Sequence, residues 1–192
     1  MWRSSVNRAV VDLVDPQPGE VVADVGAGRG PATVMAARRG AEVWAIDPTS
    51  YMRGVLQIRR LGQRARPRIH VIDGSAEHLP LADGSVDALW SVDAMHHWVD
   101  LEAALAEVSR VVRDGGRLVL VDEDFDDPRH PLHERIQLRR KHENHGFEVV
   151  DAEVVGRHLE SVGFKNVNAG ELSLATTPCI AIVATRGPRA AG

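Results

Sequence analysis

The sequence predicts a doubly wound α/β fold, and three observations carry that reading. Seven strand-like apolar runs are interleaved with helix-like stretches, the pattern of a parallel sheet with helices on both faces. The first run ends in three alternating glycines followed by proline, Gly26, Gly28, Gly30 and Pro31. The chain has 192 residues, 44% of them apolar and 26% charged, which suits one α/β domain over 1–192 with a sizeable core.

The elements follow in order. A helix is expected over 4–14, and a short buried strand over 20–25 from Val21, Val22, Ala23 and Val25. Pro31 opens a helix over 31–39, where its missing N–H costs nothing. A second strand, 42–47, ends in Asp47, and a helix over 50–61 follows. Strands at 67–73, 85–92 and 116–123 enclose a helix at 100–113. Asp100 is its N-cap, with Leu101, Leu105, Val108 and Val112 on one face. Asp151 caps a helix over 151–162 whose apolar face is Val154, Val155, Leu159 and Val162, and Gly163 supplies a left-handed stop. Two last strands are placed at 164–173 and 178–185. The stretch Asp122–Val150 is read as an irregular insertion holding four of the nine histidines.

A strand, a glycine turn and a helix N-terminus bring backbone N–H groups close to a ligand. A phosphate loop needs Lys-Ser/Thr after its last glycine, and none is present. A dinucleotide turn needs glycine where Pro31 stands. What remains is an acid before alternating glycines, Asp24-x-Gly26-x-Gly28-x-Gly30. Such an acid repels a pyrophosphate. It suits an ammonium beside a carboxylate, as in the methionine end of S-adenosylmethionine. Asp47 then sits at the strand–helix–strand distance at which a carboxylate takes both ribose hydroxyls.

Later motifs agree: Gly74-Ser-Ala-Glu-His-Leu-Pro80, Val86-Asp-Ala-Leu89, His96-His-Trp98 and Val112-Arg-Asp-Gly-Gly-Arg-Leu118. With these the chain resembles the class I S-adenosylmethionine-dependent methyltransferases of the small-molecule, type 11-like group, from about Val21 to Glu123, with a weaker match at Gly163-Phe-Lys-Asn-Val167. The resemblance implies a seven-stranded, mostly parallel sheet whose last strand is antiparallel. It implies S-adenosylmethionine as cofactor, S-adenosylhomocysteine as product and methyl transfer to an unidentified small molecule. It places Asp24, Gly26, Ala27, Gly28 and Gly30 around the methionine part, and Asp47 with Pro48 at the ribose. Ser75, Ala76 and Glu77 would meet adenine, although many relatives carry aspartate where Ser75 stands. Ser91 would line the methyl end. His97, His96 and His130 are the candidates for a general base, since imidazole titrates near neutrality. A structural role beside Trp98 is the competing reading for the His96–His97 pair.

Other classes receive less support. The longest apolar run falls far short of the roughly 20 residues of a membrane helix, so no membrane is expected as partner. Met1-Trp-Arg-Ser-Ser lacks an apolar leader core, and Cys179 is the single cysteine, so a cytoplasmic location is expected. A net charge of −4 disfavours a general nucleic-acid binder. No metal is expected: His130, His133, His142 and His145 have helical spacing, yet no thiolate or metalloenzyme motif supports them. Arg53, Arg59, Arg60, Arg64, Arg66 and Arg68 are read as the outer face of a helix and its loop. They leave room for a macromolecule methyltransferase, and the short N-terminal segment together with Ser75 for a non-catalytic sensor or partner subunit. A homodimer stays open. The Asp122–Val150 stretch, at the carboxyl edge of the sheet, is expected to act as a lid on the substrate side.

Overall fold

A computed structural model describes residues 4–142, 150–172 and 177–189. Its centre is a seven-stranded sheet of β1 Val21–Val25, β2 Glu42–Ile46, β3 Ile69–Ile72, β4 Val86–Val92, β5 Val112–Glu123, β6 Phe164–Glu171 and β7 Cys179–Arg186. The order is β3-β2-β1-β4-β5-β7-β6. The first five strands are parallel, and β7 runs antiparallel to both β5 and β6. The strand order therefore reverses between β1 and β4, the point at which ligands enter such sheets.

Two apolar layers hold the sheet. On one face lie α1 Ser4–Val14, α2 Pro31–Arg38 and α3 Ser50–Leu61. Val10, Val11 and Val14 of α1 pack with Ala36 of α2, Val22, Val43 and Trp90, while Leu56 of α3 seats on Ala27 and Ala45. On the other face, Leu105 and Val108 of α4 (Leu101–Val111) join Val155 and Leu159 of α6 (Ala152–Ser161) against Val25, Leu89, Leu118 and Ile182. The cores are built of buried aliphatic side chains, the main source of stabilisation in such a fold.

Local signals placed the N-caps of α4 and α6 and the stop of α6, whereas α4 ends at Val111 and not at 113, so Val112 leaves the helix face for β5. The Asp100 carboxylate accepts from the Ala103 N–H at 3.0 Å. Asp151 accepts from the N–H groups of Glu153 and Val154 at 2.8 and 3.1 Å. Gly163 stops α6 at φ +97°. Three differences appear. First, β5 starts at Val112, not 116, because a bulge carries Arg113–Gly116 between the pairs Val86–Val112 and Ala88–Arg117. Gly115 takes φ +76° there, and a Cβ on Gly116 would stand 2.5 Å from Val112. Second, β5 ends at Glu123 as the sequence predicts, so the insertion begins at Asp124 and not at Asp122. Third, it contains a helix, α5 His133–His142, and packs Phe125, His130 and Ile136 inward. Its sequence hides this helix because Ile136 is the one apolar residue of α5 that is buried. Residues 143–149 of the expected lid lie outside the described residues.

Candidate active site

The five parallel strands bring their carboxyl ends to one edge, and the sequence puts an acid at or just beyond each: Asp24, Asp47, Asp73, Asp93 and Asp122. The glycine turn sits at the centre. Gly26, Gly28 and Gly30 have φ of +72°, +52° and +66°, which L side chains adopt only under strain. Two of the three glycines are also enforced by packing. A Cβ on Gly26 would lie 2.4 Å from the Ala94 Cβ, and one on Gly30 would lie 2.1 Å from Leu56. A Cβ on Gly28 would meet only the Gly26 carbonyl, at 4.0 Å. The turn is pinned between the β4–α4 connection and α3, with its middle glycine open.

Asp24 is buried on the α2 side, and the Thr33 hydroxyl donates to its Oδ2 at 2.5 Å. Burial pushes its pKa up from 3.8 to about 6, against the pull of Thr33. Trp90, opposite Asp24 in the β1–β4 ladder, also favours the charged form, although its indole N–H lies outside ordinary hydrogen-bond geometry. An ammonium placed beside Asp24 would satisfy a carboxylate that the protein itself leaves poorly compensated.

Asp47 is not the N-cap of α3. That place belongs to Thr49, whose N–H donates to Asp47 Oδ1 at 2.8 Å. The other oxygen, Oδ2, accepts from the Gly28 N–H at 2.8 Å. Asp47 thus braces the glycine turn from β2. Each carboxylate oxygen takes two hydrogen bonds, so capacity remains for a diol. Pro48 lies between Asp47 and the cap.

The segment between β3 and β4 is held from α4. Arg110 donates to the Leu79 and Leu81 carbonyls at 3.0 and 2.8 Å, and Glu107 accepts from the Leu79 N–H at 2.9 Å. Within this segment Ser75 bridges to His78 and Ala76 is buried. Glu77 accepts from the Val99 N–H at 2.7 Å. Burial pushes its carboxyl up, but its own N–H, Ser75, Val99 and Asp100 together hold it below the ordinary value. Glu77 therefore ties this loop to the start of α4. Asp87 of the third motif acts at the opposite end of the sheet, binding the Val21 N–H and Arg113.

At the β4 and β5 ends the histidines separate into three roles. Asp122 is fully buried, and its carboxylate grips His96 twice. Oδ1 lies 2.6 Å from His96 Nδ1, and Oδ2 accepts the His96 backbone N–H at 3.0 Å. An Nδ1–H held by a carboxylate leaves Nε2 as the basic nitrogen of the ring. His97 is exposed, its ring 4.0 Å from that of His96; burial, aided by His96, pushes its pKa down, and Asp122 pulls the other way. His130 is buried, and its Nδ1 accepts the Leu132 N–H at 3.1 Å. Its proton then sits on Nε2, 3.7 Å from Glu123, so this ring offers its basic nitrogen to the backbone and not to an acceptor. Phe125 packs edge-on against both His96 and His130. The buried hydroxyl of Ser91, paired in register with Val25 at the switch point, has no hydrogen-bond partner among the described residues.

Sequence reading missed Asp122 as the partner of His96, and Glu107 with Arg110 as the brace of the Ser75 loop. For Asp122 a signal existed: the apolar run Leu118–Val121 ends in an acid, as the runs before Asp24 and Asp47 do. Among the described residues no three His, Cys, Asp or Glu side chains converge as a metal set. His145 and the side chain of His142 lie outside the described residues.

A seven-stranded sheet with its reversed edge, and a glycine turn braced by an acid from the next strand, define a nucleotide-type cofactor-binding α/β protein. The family model for the methyltransferase domain matches residues 23–120, and the chain belongs to that family. A Mycobacterium bovis protein named as an uncharacterized methyltransferase is 41% identical over 119 residues, 62% of this chain and 46% of its own length. A demethylmenaquinone methyltransferase of Thermobifida fusca is 38% identical over 123 residues, 63% of this chain and 49% of its own. The chain spans about half the length of these curated relatives. Geranyl diphosphate C-methyltransferase from Streptomyces coelicolor, solved with S-adenosyl-L-homocysteine, superposes with a TM-score of 0.77 over 95% of this chain and 79% of that one, at 19% identity, a likeness of fold.

Proposed function

We propose that this chain transfers a methyl group from S-adenosylmethionine to a small-molecule acceptor. The observation that carries the reading is the glycine turn itself: three left-handed glycines, of which Gly26 and Gly30 are wedged against Ala94 and Leu56 while Gly28 is open and bonded to the Asp47 carboxylate. The names of the relatives support a small-molecule acceptor over a macromolecule. The cofactor supplies a methyl group on a sulfonium, already activated toward an in-line nucleophile.

The residues would divide the work as follows. Asp24 faces the ammonium, and the turn Gly26, Ala27, Gly28 and Gly30 admits the methionine backbone. Asp47 takes the ribose hydroxyls. Ser75 and Ala76 border adenine, on a loop that Glu77 fixes to α4. The partnerless Ser91 hydroxyl lies at the switch point, where a polar ligand group would satisfy it. His96, oriented by Asp122, accepts the acceptor's proton on Nε2 as its oxygen or nitrogen lone pair takes the methyl group. His96 would carry away the proton that balances the charge left on the methylated acceptor. The main contribution of the fold is alignment of the two reactants.

Two measurements test this. Calorimetric titration is expected to show binding of S-adenosylhomocysteine and none of NAD. A panel of phenols, quinols and amines with methyl-labelled cofactor is expected to yield S-adenosylhomocysteine with at least one member. Binding of NAD alone would remove the reading. Cofactor binding with no turnover by any acceptor class would make the chain a sensor.

A further inference from the structure

The arginine-rich stretch after β2 does not present the surface its sequence suggests. Arg53 turns inward, donating to the Asp47 carbonyl and to Asp73 Oδ1, both at 2.8 Å. Arg60 turns inward to the Ile69 carbonyl at 2.7 Å. The outward face of α3 is instead apolar. Tyr51, Ile58 and Leu61 are 72%, 73% and 63% exposed, and with Gly54 they lie at i, i+3, i+7 and i+10. At a rise of 1.5 Å per residue this stripe is about 15 Å long. It points directly away from buried Leu56.

The charge around it is one-sided. Residues 26–68 hold nine arginines and only two acids, in a chain whose net charge is −4. Among the described residues no ion pair joins Arg29, Arg59, Arg64 or Arg66 to a carboxylate, and all four are exposed. Arg59 reaches the Arg29 carbonyl at 3.3 Å, and Arg64 and Arg66 follow Leu61, the last residue of α3, within five residues. The rest of the molecule is correspondingly acidic, and the resulting dipole steers this face toward negative surfaces.

We propose that the α3 face docks the protein on an anionic lipid surface, with α3 lying in the plane of the interface. An exposed helix with aliphatic and aromatic residues outward and arginines beside them is the composition that binds there. Tyrosine suits the headgroup level, where its ring is half in apolar surroundings and its hydroxyl wet. RNA would use the guanidinium groups, but Ile58 and Leu61 offer nothing to phosphate or to a base face. A second copy of the same face would bring two arginine clusters together. The expectation of no membrane partner rested on the missing spanning run, and docking needs none. No helix among the described residues is long and apolar enough to cross a membrane. The proposal rests on no part of the methyl-transfer site, and cofactor affinity measured in parallel separates the two.

The test is co-sedimentation of the full chain with vesicles of equal parts phosphatidylglycerol and phosphatidylcholine, and with phosphatidylcholine alone. Binding to the first and not the second is expected, with loss at roughly 0.5 M salt as the surface charges are screened. Tyr51→Ser/Ile58→Ser/Leu61→Ser and, separately, Arg64→Glu/Arg66→Glu should each weaken partitioning about tenfold or more, with unchanged melting and S-adenosylhomocysteine affinity. Leu13→Ser, at an exposed residue of α1, should leave partitioning unchanged. If the serine variant fails to fold, the charge reversal carries the test alone. The proposal is overturned by absence of binding to anionic vesicles or by binding that both variants retain. It is equally overturned if wild type self-associates through residues the serine variant removes, or if it binds a short single-stranded RNA in preference to the vesicles.

Discussion

His96 and Asp122 are joined twice, through the imidazole Nδ1 at 2.6 Å and through the His96 backbone N–H at 3.0 Å. The carboxylate also takes the Glu123 N–H at 2.8 Å, so three donors converge on one buried group. Removing it by Asp122→Ala orphans all three, and a cost of about 3–5 kcal/mol is expected, the scale of a broken buried charged pair. Asp122→Asn keeps one acceptor and should cost less. Urea unfolding checks the order. In the asparagine variant, cofactor affinity should hold while single-turnover methyl transfer to whichever acceptor reacts falls at least about a hundredfold.

The three glycines should separate by position. Gly28→Ala has room for its Cβ, so the expected loss of stability is about 1 kcal/mol, the strain of a left-handed alanine. Gly26→Ala and Gly30→Ala add contacts of 2.4 and 2.1 Å and should cost roughly 2–4 kcal/mol. If the open side of Gly28 faces the cofactor, Gly28→Ala should lose S-adenosylhomocysteine affinity out of proportion to its small loss of stability. Equal stability losses at all three positions, read by thermal melting, would refute this division.

Some of this was legible in the sequence because it is local. The caps Asp100 and Asp151 act on N–H groups two or three residues away, and Gly163 ends its helix at its own φ. The glycine turn and Asp47 follow from motif spacing for the same reason. The His96–Asp122 pair was not legible, since it spans 26 residues and depends on the β4–β5 register. Nor was the orientation of α3. A run of arginines reads as a solvated face, but the Asp73 carboxylate and Ile69 carbonyl that draw Arg53 and Arg60 inward come from β3 and the residue after it. Helix α5 was hidden because a polar decapeptide with only Ile136 and Leu138 apolar has no apolar period to read.

Asp47 ties two backbone N–H groups into the turn, so its removal should affect the protein even without ligand. Asp47→Ala is expected to lower stability by roughly 1–3 kcal/mol, as the Gly28 and Thr49 donors lose their acceptor. The same change should weaken cofactor binding by a further 1.5–3 kcal/mol or so, the scale of charge-assisted hydrogen bonds to a diol. Asp47→Asn retains one acceptor and isolates the binding loss. Unchanged affinity in both variants would leave Asp47 as a brace for the turn and nothing more.

Asp24 predicts a pH dependence whose sign can be worked out. Its folded pKa of about 6 lies above the ordinary 3.8, because burial disfavours the charge. Between those values the folded protein keeps a proton that the unfolded chain has released. Stability therefore falls as pH rises through that window and levels off above about 6, a total loss of about 3 kcal/mol from this group. Asp24→Asn, which can still accept from Thr33, should flatten the curve, and melting followed between pH 4 and 7 in the apo protein checks it. Ligand binding should show the opposite trend. An ammonium beside Asp24 favours the carboxylate, so affinity for S-adenosylhomocysteine should be full above pH 6 and weaken as the acid takes up its proton below it. Calorimetry in buffers of different ionisation enthalpy should then detect one proton released on binding near pH 5. If affinity is flat across this range while apo stability follows the predicted curve, Asp24 is a buried acid that anchors α2 through Thr33 and does not touch the cofactor.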